Sequence, residues 1–363
     1  MSPSTARCRV PSAALGALAL AAWPAIAAEV DLSQCVGIAD ASTRLACYDV
    51  AAGRKELPPG VIADAPPEAL EPASKTAKAA PEVFRHDTGL QPKPRVSLLD
   101  SRWELDPDSK LGTFHLRAYR PVYLLPAFYA TSLNREPGSP SPDNQVTDAL
   151  DIDRSELKFQ LSFKAKLWEN IFGDNGDLWT GYTQVSHWQV FNSATSRPFR
   201  ETNYEPDVNL IFRTNYDLFG WKGRLLGIGA VHQSNGRGDP FSRSWNRIVG
   251  NVGFERDGWT LNLRPWYRIP ESRHDDDNPD ISDYIGRGEV QLIRVTNRHQ
   301  LSLLVRNSFK GDWHGAAQFD WGFPIAEELR GHVQVFHGYG ESLIDYNHRA
   351  WYFGVGISLL EWY

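Results

Sequence analysis

The sequence predicts an all-β protein: a twelve-stranded antiparallel transmembrane β-barrel preceded by a small N-terminal helical and linker segment. Three observations carry this prediction. Apolar and polar residues alternate with period two in about twelve segments bounded by turn residues, as strands do when one face meets lipid and the other a polar interior. No run of 18 apolar residues exists outside the N-terminus, which excludes a helical membrane protein, while a mean hydropathy of −0.41 is compatible with alternating strands. The 13 Trp, 13 Tyr and 17 Phe are many for a soluble domain and suit aromatic girdles at two membrane interfaces. A net charge of −6 provides no basic footprint, so nucleic acid is not an expected partner.

Residues 1–27 read as a secretory signal peptide. Arg7 and Arg9 precede an apolar stretch from Ala13 to Trp23, and Ala25-Ile26-Ala27 fits a small-x-small cleavage site. Residues 28–105 form a periplasmic Cys-bearing segment and an Ala/Pro-rich linker. Cys35 and Cys47 are the two cysteines left after cleavage, and an even count in an exported chain suggests one disulfide tying a short helical hairpin. Residues 51–96 have linker composition without apolar periodicity.

The barrel is expected over residues 106–363, with strands near 112–130, 155–168, 177–191, 205–217, 223–234, 243–255, 258–268, 283–295, 299–308, 314–324, 330–338 and 349–363. Leu157, Phe159, Leu161 and Phe163 alternate with polar residues, as do Trp259, Leu261, Leu263 and Tyr267, and as do Leu301, Leu303 and Val305. In the last segment Trp351, Phe353, Val355, Ile357, Leu359 and Tyr363 share one face, which Glu361 interrupts. An even strand number and a final strand ending on an aromatic residue agree with an outer-membrane barrel.

The same alternation locates a site. Leu226, Ile228, Ala230, His232 and Ser234 fall on one face of a strand. Ser244, Asn246, Ile248 and Val252 share a face of the next strand. A hairpin loop centred near Asp239 pairs His232 with Asn246, roughly 5 Å across the strands. Polar groups facing lipid cost on the order of 1–4 kcal/mol depending on depth, so their grouping near the barrel mouth calls for a function. Ser234 is the candidate nucleophile, His232 the base and Asn246 the residue that orients the imidazole. An Asn adds no negative charge, so a cation to stabilise the oxyanion would help.

These residues resemble the outer-membrane phospholipase A family. The matching blocks are GYTQVSHWQ (181–189), RPFRETNYEPD (197–207), HQSNGRGDPFSRSWNR (232–247), DDNPD (276–280) and GYGESLIDYN (338–347). The resemblance implies a calcium-dependent homodimeric barrel in the bacterial outer membrane, its site facing the outer leaflet. It implies hydrolysis of phospholipids and lysophospholipids at either acyl position, with Ser234, His232 and Asn246 as the triad. It also implies calcium held by the Arg237 carbonyl and the Ser242 hydroxyl, with Ser196 of the partner subunit as a third contact. Asp239 and Asp277 match a second calcium position. The charged run ESRHDDD (271–277) leaves Asp276 or Asp277 open for that role, and Gly238 gives the calcium loop extra freedom.

Gln184 shares a lipid-facing strand face with Tyr182 and Trp188. An amide in lipid is unfavourable unless paired, so Gln184 is the candidate dimer-interface residue. Two alternatives need no catalysis: a passive porin, which requires an open lumen, and an adhesin working through long loops such as 131–154.

Overall fold

The computed structural model describes residue 35 and residues 40–51, 97–310, 314–326 and 329–363. The expected signal segment and nearly all of the expected linker lie outside these residues. The chain divides into two compact units, residues 1–77 and 78–363. In the first, helix α1 (Ala41–Ala51) begins after Asp40, whose carboxylate accepts from the Thr43 N–H at 2.9 Å and the Ser42 hydroxyl at 2.6 Å, an N-cap. Cys35 and Cys47 form the expected disulfide, with Cα atoms 5.6 Å apart.

The second unit is an antiparallel barrel. Its strands are β1 (Leu116–Ala118), β2 (Val122–Ala130), β3 (Ser155–Trp168), β4 (Asp177–Trp188), β5 (Phe199–Leu218), β6 (Trp221–Ser234) and β7 (Ser244–Arg256). Then follow β8 (Trp259–Ile269), β9 (Gly288–Thr296), β10 (His299–Asn307), β11 (Gly315–Pro324), β12 (Arg330–Tyr339) and β13 (Arg349–Leu360). Each strand from β2 onward pairs with the next, and β13 pairs back with β2 to close the sheet. β1 and β2 both pair with β3, so they share one barrel position, and the closed barrel has the twelve positions expected. The single strand expected at 112–130 is broken because Pro121 has no N–H for the ladder and the Arg120 N–H turns to the Ser162 hydroxyl at 3.1 Å.

The alternation sets the wall. Leu161, Phe163, Leu226, Ile228, Leu303, Val305, Trp351, Phe353 and Val355 are exposed on the outside. Inside are charged and polar side chains, including the pairs Lys158–Glu341 at 2.5 Å, Arg247–Glu205 at 3.0 Å and Lys110–Asp177 at 2.7 Å. No helix among the described residues is long and apolar enough to cross a membrane; the strands provide the crossing.

Several expectations need correction. β5 begins six residues earlier than expected, at Phe199, and β9 later, at Gly288, because residues 281–284 form a helical turn, α3 (Ile281–Tyr284). Glu361 does not interrupt the outer face. Register shifts near the end of β13, between Val355 and Ile357 and between Ser358 and Leu360, break simple parity there. Glu361 is buried and accepts from Gln300 Nε2 at 3.1 Å. Tyr363, placed with the outer face by parity, instead lies under the Arg102 guanidinium, 5.6 Å from its ring centre.

Residues 97–105, grouped with the linker in the sequence, belong with the barrel. Helix α2 (Leu98–Trp103) is capped by Ser97, whose hydroxyl accepts from the Asp100 N–H at 3.0 Å. Its Leu99 is buried in a cluster with Leu105, Trp179, Ile211 and Leu225 of the barrel interior. Short Leu-Leu spacing without a longer apolar period hid this segment from a periodicity reading.

Candidate active site

The β6–β7 ladder pairs His232 with Asn246 and Ser234 with Ser244. His232 is exposed on the outer wall, and Ser234 and Asn246 are half-buried there. His232 Nδ1 lies 2.8 Å from Asn246 Oδ1. An amide oxygen only accepts, so Nδ1 carries the proton and Nε2 is the basic nitrogen. Ser234 occupies the adjacent outward position of β6. Among the described residues its hydroxyl makes no side-chain hydrogen bond; catalytic hydrogen bonds often close only when substrate binds.

The inward neighbours give this face a rigid backing. Val231, Trp245, Val249 and Trp266 are buried in one cluster, with Trp245 and Trp266 edge to face at 6.1 Å. Arg247 covers Trp245 at 4.0 Å. Gln233 Oε1 accepts from Trp245 Nε1 at 2.8 Å and from Arg247 at 3.1 Å. Functional groups borne on packed strands hold their geometry better than groups on loops.

The loop after β6 is closed by Asn235, which is buried. Its Oδ1 accepts from the Arg237 N–H at 3.3 Å and the Arg243 N–H at 3.1 Å, and its Nδ2 donates to the Phe241 carbonyl at 2.8 Å. Among the described residues the Arg237 carbonyl receives no hydrogen bond. The Ser242 hydroxyl donates to Asp277 Oδ2 at 2.5 Å. Asp239 Oδ1 accepts from Asn144 Nδ2 at 3.1 Å, and the same amide reaches the Ser242 carbonyl at 3.1 Å. Asp276 turns away to Arg268 at 2.6 Å, so Asp277 rather than Asp276 faces the loop. Gly238 has open space where a side chain would stand. Ser196 lies in the β4–β5 turn with φ of 61°, and among the described residues no hydrogen bond joins it to the 235–243 loop. No cluster of three or more His, Cys, Asp or Glu fit to hold a metal occurs among the described residues; the oxygen donors at hand are carbonyl, hydroxyl and single carboxylate groups, which suit a hard cation that keeps waters.

One neighbour escaped the sequence reading. Asn246 Nδ2 donates to Glu271 Oε1 at 2.8 Å. Asn246 pairs with Ile269, and Glu271 is two residues further along the same outward parity. The signal was present in Tyr267, Ile269 and Glu271, but the residue falls in the charged run after the strand and reads as solvated loop. Burial, then the nearby Asp276 and Asp277, push the Glu271 carboxyl up from its ordinary value against the pull of Asn246 and Arg268.

A closed barrel with an apolar outer wall and a packed polar interior defines a membrane-spanning β-barrel, and His232, Ser234 and Asn246 stand on its outward face. A family model described as Phospholipase A1 matches residues 99–359. Phospholipase A1 of Klebsiella pneumoniae is 42% identical over 279 residues, covering 76% of this chain and 93% of that protein. The Salmonella typhi outer-membrane phospholipase, solved as a dimer with bound calcium, is 39% identical, covering 69% of this chain and 94% of that one, with a TM-score of 0.62. The Escherichia coli outer-membrane phospholipase A, solved as an asparagine-to-alanine active-site mutant, is 37% identical, covering 70% and 95% of the two chains, also with a TM-score of 0.62. The chain belongs to the phospholipase A1 family: it is an outer-membrane phospholipase that hydrolyses acyl esters.

Proposed function

We infer that this phospholipase cleaves its esters with Ser234 as nucleophile, His232 as general base and Asn246 as the residue orienting the imidazole, that it requires calcium, and that it acts as a homodimer. The observation that carries the reading is the 2.8 Å contact of His232 Nδ1 with Asn246 Oδ1 on the outer wall, two residues along β6 from Ser234 on the same face. It agrees with the asparagine active-site mutant of the E. coli protein and with the calcium-bound dimer of the S. typhi protein.

A phospholipid beside the wall brings its ester to Ser234 without leaving the membrane. Ser234 Oγ attacks the acyl carbonyl carbon while His232 Nε2 takes the hydroxyl proton. Collapse of the tetrahedral intermediate breaks the ester C–O bond, and the departing alcohol receives that proton. Water then attacks the acyl-serine by the same proton route, releasing the fatty acid and restoring Ser234. Throughout, the Nδ1–H donates to Asn246, which keeps Nε2 basic.

Asn246 contributes no charge, so the oxyanion calls for another source of stabilisation. The Arg237 carbonyl and the Ser242 hydroxyl, completed by Ser196 of the partner subunit, would hold calcium, and Asp239 and Asp277 would serve a second position. The carbonyl without a donor and the hydroxyl held by Asp277 fit an oxygen-ligated ion. When bound, calcium supplies positive charge where negative charge develops. The passive-pore alternative requires an open lumen, whereas the interior around Lys158, Glu205, Arg247 and Glu341 has a cavity of only about 170 Å³.

The test is fatty-acid release from mixed micelles. Wild type should be active with calcium and inactive in EDTA, and Ser234→Ala should be inactive in both. A sulfonyl fluoride should label wild type at Ser234. Undiminished release by Ser234→Ala, or indifference to EDTA, would overturn this reading.

A further inference from the structure

We propose that Glu271 is a positioning residue for the triad, extending it to a line of four side chains across three neighbouring strand positions: Ser234, His232, Asn246, Glu271. The inference rests on the triad reading above and adds a residue and a source of negative charge to it.

An amide side chain can face a neighbour in either of two orientations. Asn246 offers one acceptor end and one donor end, and nothing in its own chemistry decides which faces His232. A carboxylate decides it, because an ionised carboxylate only accepts. Glu271 Oε1 takes the Nδ2–H at 2.8 Å, and this turns Oδ1 to His232 Nδ1 at 2.8 Å. The reverse orientation would set the amide oxygen against a carboxylate oxygen and the amide N–H against the imidazole N–H. The carboxylate thus selects the amide orientation, and the amide orientation selects the imidazole tautomer with Nε2 free to take the Ser234 proton.

The carboxylate also restores charge that an Asn lacks. A negative group hydrogen-bonded to the far side of an amide polarises it and strengthens the bond it accepts, so the imidazolium formed during attack is stabilised through Asn246. The groups around Glu271 leave its charge largely uncompensated. Arg268, the nearby cation, is paired with Asp276 at 2.6 Å and donates to the Pro279 carbonyl at 2.9 Å. Asp276 and Asp277 are like charges. Glu271 Oε2 is buried without a hydrogen-bond partner.

Two substitutions separate charge from geometry. Glu271→Gln keeps an oxygen able to accept from Asn246 and removes the charge; Glu271→Ala removes both. Each would be purified as full-length protein, checked for heat-modifiable migration, and measured for kcat and KM in mixed micelles across pH with calcium saturating, beside Ser234→Ala. For Glu271→Ala we expect kcat to fall roughly tenfold or more, by analogy with the hydrogen-bond partners that orient metal-bound histidines, with little change in KM. For Glu271→Gln we expect a smaller fall. In both, the acid limb of kcat/KM against pH should move to lower pH. Loss of the carboxylate destabilises the imidazolium, and loss of a carboxyl held above its ordinary range removes a proton-linked loss of activity. If Ser234→Ala is inactive and both Glu271 variants keep wild-type kcat and an unmoved acid limb, the proposal fails. It fails equally if Glu271→Ala is impaired but neither variant moves the limb, since Glu271 is then scaffold only. Activity in Ser234→Ala would instead remove the triad reading beneath it.

Discussion

Asn235 brings no group to the reaction, yet its single buried amide ties the N–H groups of Arg237 and Arg243 and the carbonyl of Phe241 into one closed loop. That loop carries the Arg237 carbonyl and the Ser242 hydroxyl. Breaking buried hydrogen bonds of this kind costs about 1–3 kcal/mol. Asn235→Ala should therefore weaken calcium activation more than it weakens the barrel. The calcium midpoint in the micelle assay should rise roughly fivefold or more, the equivalent of about 1 kcal/mol, while heat-modifiable migration stays near wild type. An unchanged midpoint would refute a loop-organising role. Parity alone placed His232, Ser234 and Asn246 on one face, because a strand has only two faces. It could not rank Asn235 or Glu271, because each lies beyond the end of a strand and its importance rests on which distant atoms it meets.

Helix α2 brings a second kind of organisation, a short element seated among barrel residues. Leu99 is 1% exposed and packs with Trp179, Ile211 and Leu225. Truncating so buried a leucine costs about 2–5 kcal/mol, so Leu99→Ala should lower the temperature at which the folded band is lost on semi-native gels. No shift would mean that the helix is dispensable to the barrel. Just beyond the helix, Glu104 meets Arg117 at 2.7 Å and Lys166 at 3.0 Å. Burial alone would raise its carboxyl, but Arg117, Lys166 and the Leu111 N–H outweigh it and hold it below its ordinary value of 4.5. The sign follows from linkage. A carboxyl depressed in the folded state adds stability that is complete above the unfolded value and is lost as pH falls through the folded one. Wild type should therefore lose thermal stability below about pH 4.5 in a step that Glu104→Gln lacks. Parallel acid profiles for the two proteins would contradict this.

On the scale of the whole molecule, the outer wall carries a second polar line besides the one through the site. That second line runs through Tyr182, Gln184, Ser186 and Thr202. Gln184 Oε1 accepts from the Tyr182 hydroxyl at 3.0 Å, Gln184 Nε2 donates to Ser186 at 3.1 Å, and Thr202 donates to the same hydroxyl at 3.1 Å. The amide is thus not solitary in lipid, but it retains one N–H and one lone pair for a partner across a two-fold axis. On the proposed homodimer, Gln184→Ala should reduce chemical crosslinking in detergent at matched protein and calcium concentration, with folding intact. Crosslinking equal to wild type would exclude Gln184 from the interface.

Strand number, membrane class and the outward line of His232, Ser234 and Asn246 followed from the chain alone, since a period of two is a property of successive residues and needs no knowledge of the third dimension. The ends of the strands, the burial of Glu361, the seating of α2 and the bond from Asn246 to Glu271 were settled only by the closed barrel. Each depends on which distant segment lies alongside: a proline that interrupts one ladder, a register shift that turns a side chain inward, a loop carboxylate brought over a strand amide. Local alternation fixes which way a side chain points, and tertiary pairing fixes what it meets there.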